Sequence, residues 1–154
     1  MKNQVLNIKQ MQHLKELGVD ISKGSMVWLP YIEMKGFPEI PIELCDKYYH
    51  LEFAYSLRPI LPEEEMLYTF TLQDIMELLP KVITSNNNRY DLILSFSGEN
   101  FRYEATTPYG YDTIHIEYFN STGFLKGFNI TLNDAAYQML CWCAENGYLK
   151  GGEK

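Results

Sequence analysis

The chain has 154 residues, 46% hydrophobic and 14% aromatic, values of a globular protein long enough to bury a core without disulfides or metal. Its formal charge is -7, with 20 acidic against 13 basic residues, which argues against a nucleic-acid backbone as partner. Three cysteines (Cys45, Cys141 and Cys143) make no disulfide framework, and no run approaches the roughly 18 apolar residues of a membrane helix.

The N-terminus leads into a polar helix pattern without the apolar core of a signal peptide, so one reduced, cytoplasmic domain over 1–154 is expected. The first helix is predicted from about Ile8 to Leu17. Asn7 is its N-cap, Gln10 completes an Asn-x-x-Gln capping box, and Leu6 with Met11 fits a hydrophobic staple. Gly18 stands where a left-handed residue is wanted, followed by Val19 at the position that touches back on Leu14. Asp20 to Lys23 reads as a turn, and Ser25 to Ile32 as a strand that Pro30 either ends or confines to a sheet edge.

Residues 36–66 are broken by Gly36, Pro38, Pro41, Pro59 and Pro62, and carry the acidic run Glu63-Glu64-Glu65. Between the prolines, Tyr49, Leu51, Phe53 and Tyr55 alternate with polar or small residues, a period of two that predicts a strand. A helical reading through Leu44, Tyr48 and Leu51 is the alternative. Pro38-Glu-Ile-Pro41 and Pro59-Ile-Leu-Pro62 match the loose polyproline-ligand form, but only Arg58, before the second, offers a flanking basic residue to fix its orientation. They are read as rigid connectors.

Thr71-Leu-Gln-Asp74 places a hydroxyl at an N-cap and a carboxylate three residues on, heading the stripe Leu72, Ile75, Met76 and Leu79. Pro80 ends that helix near Leu79. Strands are then predicted with Tyr90, Leu92, Leu94 and Phe96 on one face, with Phe101, Tyr103 and Ala105, and with Ile114, Ile116 and Tyr118. A weaker fourth runs from Phe124 to Ile130. Thr131-Leu-Asn-Asp134 repeats the capping device before Leu132, Ala135, Ala136, Met139, Leu140 and Cys143, and Asn146-Gly147 closes that helix with Tyr148 packing back. The fold class expected is α+β: an antiparallel β-meander of three to five strands, two longer helices on one face, and a short N-terminal helix.

Few residues offer chemistry. Cys141 and Cys143 lie two apart on a helix, about 200° around its axis, and cannot share a metal or close a disulfide there. They read as small buried hydrophobes. His50 with Glu52 and His115 with Glu117 each share one face of a strand. Two such strands side by side would present two imidazoles and two carboxylates, a set for a divalent metal or for acid–base work; the plainer reading is two solvent-facing faces. His13 is expected on the surface. No nucleotide, hydrolase, zinc-protease or calcium motif occurs, so no catalytic, cofactor or metal residue is assigned.

Three stretches carry a resemblance: 7–28, from Asn7-Ile-Lys-Gln to Val27-Trp28; 69–80, from Thr69-Phe-Thr-Leu to Leu79-Pro80; and 136–149, from Ala136-Tyr-Gln-Met to Tyr148-Leu149. They resemble a group of small uncharacterised proteins carried by gut bacteria and their phages or other mobile elements. The resemblance implies an intracellular accessory protein of prophage origin, and it transfers no residue role. The function expected is non-enzymatic, by protein–protein binding, with the tyrosine load (12 residues) as an adhesive surface. The alternatives are a small hydrolase or metal-dependent enzyme using His50, Glu52, His115 and Glu117, and an acidic inhibitor or DNA mimic. No cofactor is expected, no membrane partner, and the oligomeric state is left open.

Overall fold

The computed structural model describes residues 4–30, 49–96, 114–128 and 132–149. The fold class is α+β, with two antiparallel sheets, one of three strands and one of four, and four α-helices among the described residues. The chain divides into two compact units, Met1–Asp74 and Ile75–Lys154. Among the described residues no helix is long and apolar enough to cross a membrane.

The first unit begins with helix α1 (Ile8–Glu16). Asn7 Oδ1 accepts from the Gln10 N–H at 2.9 Å, and Gln10 Oε1 accepts from the Asn7 N–H at 3.0 Å, so the expected capping box is complete. Its far end closes as the glycine predicted. With Gly18 at φ 83°, the Gly18 N–H reaches the Lys15 carbonyl and the Val19 N–H the Leu14 carbonyl, both at 3.0 Å. A nine-residue helix is marginal alone; here Ile8, Met11 and Leu14 are buried.

Strand β1 (Met26–Pro30) lies at the centre of the three-stranded sheet, between β2 (Tyr49–Phe53) and β3 (Leu67–Thr69). Pro30, the last described residue of this strand, therefore does not mark an edge. β3 reaches only to Trp28, so at Pro30 the one ladder neighbour is Tyr49 of β2. The alternation from Tyr49 is a strand as far as Phe53, and Ala54–Leu57 then turns into the short helix α2, so Tyr55 leaves the ladder.

Both faces of this sheet are covered. Met26 and Trp28 join Val5 and Ile8 on one side, with Tyr49 and Leu51 packed against them. Val27 joins Ala54, Met66 and Tyr68 on the other, with Leu29, Leu57 and Leu61 alongside. Polar bonds hold the same strands. The Leu6 carbonyl accepts from Thr69 Oγ1 at 2.6 Å and from the buried Trp28 indole at 3.3 Å, and the Leu6 N–H donates to the Phe70 carbonyl at 3.0 Å. Thr71 heads helix α3 (Leu72–Leu78): its Oγ1 accepts from the Asp74 N–H at 3.2 Å, and Asp74 Oδ2 accepts from the Thr71 N–H at 2.7 Å. The same Oδ2 also accepts from Ser25 Oγ at 2.7 Å and the Ser25 N–H at 3.2 Å, joining the helix head to the start of β1.

In the second unit β4 (Val82–Ser85), β5 (Asn88–Phe96), β6 (Ile114–Asn120) and β7 (Gly123–Phe128) pair in chain order, the meander expected. Its first strand is one the sequence reading passed over. Asn86 (φ 51°) and Asn87 (φ 63°) both sit in the left-handed region, a two-residue type I′ turn that matches strand twist and closes Ser85 against Asn88. The strand expected over Phe101 to Ala105 lies outside the described residues, and β5 pairs directly with β6.

The register sets Leu92 against Tyr118 and Leu94 against Ile116, so the two predicted apolar faces coincide. Helix α4 (Leu132–Glu145) lies against β6 and β7 and buries Ala135, Ala136, Met139, Leu140 and Cys143. Its Thr131 cap lies outside the described residues. Its end does not: with Gly147 at φ 74°, the Tyr148 N–H reaches the Cys143 carbonyl at 2.8 Å, and the Tyr148 ring lies 5.2 Å from that of Trp142.

Two substitutions test this framework. A Cβ on Gly24 would lie 2.7 Å from the Thr69 carbonyl oxygen, a backbone atom of the neighbouring strand that cannot swing away. Gly24→Ala is expected to lower the unfolding free energy by about 1–3 kcal/mol in urea titration. At the exposed hairpin, Asn87→Val is expected to cost about 1–2 kcal/mol through backbone strain alone, and Asn87→Gly to cost nothing or to stabilise.

Candidate functional site

Among the described residues of the first unit, exposed aromatic groups stand where β2 gives way to α2. Phe53 is 50% exposed and Tyr55 70% exposed, while Ala54 between them is buried. The change of period explains this arrangement. The Ala54 N–H still bonds the Ser25 carbonyl at 2.9 Å, which fixes Ala54 inward, and the helical step then sends Tyr55 outward. The two rings stack at 5.4 Å between centroids, 29° from parallel. Three residues on, Arg58 donates to the Ser22 carbonyl at 3.4 Å and sits 6.0 Å from the centre of the Tyr68 ring, tying α2 back to the unit.

The connector that follows is equally defined. The Ile60 and Leu61 N–H groups both reach the Leu57 carbonyl at 2.8 Å, so Pro59 to Pro62 is a hydrogen-bonded turn. A polyproline helix has no internal hydrogen bonds, and this segment is a connector, as its sequence suggested. Ile60 points out of it, and Glu63–Glu65 follows as an exposed 3-10 turn. Pro38 to Pro41 lies outside the described residues.

The two His–Glu pairs stand on different sheets. His50 and Glu52 share a face of β2, with His50 Nε2 3.6 Å from Glu52 Oε1, opposite Leu29 and Val27 of β1. His115 and Glu117 lie on β6, on the face opposite buried Ile116 and Tyr118, with Ser95 and Ile93 of β5 across from them. The side-by-side strands that the four-residue site requires are therefore not formed: β2 pairs with β1, and β6 with β5 and β7. Among the described residues no three His, Cys, Asp or Glu side chains gather as a metal would need.

The thiols of α4 are buried and are not joined to each other in a disulfide. Cys143 donates to the Tyr118 hydroxyl, 3.6 Å away, and that hydroxyl donates to the Pro80 carbonyl at 2.8 Å. Burial pushes the Cys143 thiol up to about 11, its bond to Tyr118 offsetting only part of the rise. Burial also raises Cys141, with Glu145 adding to the rise and a bond to Tyr137 working against it. Thiols held protonated are poor nucleophiles and poor ligands, so the pair is framework. Cys45 lies outside the described residues.

Seven of the twelve tyrosines lie among the described residues. Tyr68, Tyr118 and Tyr148 are buried; Tyr49, Tyr90 and Tyr137 are half-buried; among the described residues only Tyr55 is exposed. What sequence reasoning missed is that the alternation stops at Phe53 and that Tyr55 belongs to a helix. The available signal was Ala54-Tyr-Ser-Leu57, a helix-compatible tetrad running straight into Arg58 and Pro59. Compared with known protein families, with curated proteins and with solved structures, the chain matches none.

The Cys143 environment predicts a pH dependence. A thiol whose pKa is raised on folding leaves the unfolded chain to ionise first, so stability is full below the ordinary thiol value and falls as pH rises toward about 11. Between about pH 8 and pH 10.5, the wild type is expected to lose about 2 kcal/mol more than Cys143→Ala in urea titrations. Equal losses would remove the buried thiol as the cause.

Proposed function

We propose that this protein is a non-enzymatic accessory domain of the bacterial cytoplasm, of prophage or mobile-element origin, that works by binding another protein through Phe53 and Tyr55. The observation that carries the reading is the stacked, outward pair at the end of β2. Two aromatic rings held against each other on an ordered element lose little rotamer freedom on binding, and aromatic anchors of this kind dominate interface energetics. Buried Ala54, bonded to the Ser25 carbonyl, and Arg58, bonded to the Ser22 carbonyl, supply the order. Among the described tyrosines, Tyr55 is the one that supports the proposal. The absence of a catalytic motif in the sequence agrees with a binding role.

Both anchors are exposed enough to be replaced without opening a core. Phe53→Thr with Tyr55→Ser is expected to keep the wild-type melting temperature within a few degrees. Used as bait in a lysate of the native host, the double variant is expected to retain its partner at least about 30-fold less well, roughly 2 kcal/mol. Phe124→Thr, at an exposed aromatic of the second unit, is expected to capture normally. Unchanged capture by the double variant would reject this surface as the binding site.

A further inference from the structure

We draw no further inference here: the strongest candidate, the outward side of the 53–65 segment where Phe53, Tyr55 and Ile60 share a stretch with the acidic turn Glu63–Glu65, belongs to the surface already described, and nothing in the structure shows what covers it.

Discussion

One oxygen atom organises the first unit. Asp74 Oδ2 accepts four bonds, two from Thr71 at the head of α3 and two from Ser25 at the entry to β1. A helix cap by itself satisfies local donors and is worth about 1 kcal/mol. Shared with a residue 49 positions away, the same carboxylate becomes a tertiary clamp. It sets Ser25 beside the segment that follows β3, and close by Gly24 lets the Thr69 backbone approach to a distance no side chain would allow. The Leu6 carbonyl completes the junction by accepting from Thr69 and Trp28. Three separate stretches of chain thus meet through polar bonds around two small apolar cores.

That clamp also bears on the proposed surface. The Ser25 N–H is held by Asp74, and the Ser25 carbonyl receives the Ala54 N–H. The residue between Phe53 and Tyr55 is therefore fixed through a single peptide-chain step to the carboxylate hub. Display of the two rings follows from where Ala54 is anchored. The second unit shows the contrasting economy: a meander of adjacent pairings, a helix across it, and a buried thiol–phenol–carbonyl chain that leaves no polar end of Tyr118 or Cys143 unsatisfied.

What was legible in the sequence was local. Asn7 with Gln10, Thr71 with Asp74, Gly18 with Val19 and Gly147 with Tyr148 all act over three to five residues, and the structure realises each of them. The coincident apolar faces of β5 and β6 were legible for the same reason, since alternation alone decides them. The long-range partners were not. Ser25 carries no mark of Asp74, and Tyr49 to Phe53 carries none of β1, because strand pairing is chosen by the whole sheet. β4 is short and lacks a long alternation, and its one local mark is the Asn86-Asn87 pair of the I′ turn. The His–Glu pairs failed as a joint site at the same point, because a shared pattern within a strand says nothing about which strand lies beside it.

The most direct measurement of the clamp is a double-mutant cycle on Ser25→Ala and Asp74→Ala, read by urea unfolding. If Asp74 joins β1 to the helix head, the two substitutions are expected to couple by about 1–2 kcal/mol, with Asp74→Ala costing clearly more than a simple cap. Additive losses within about 0.3 kcal/mol would show that Asp74 serves only its own helix, and would contradict the clamp.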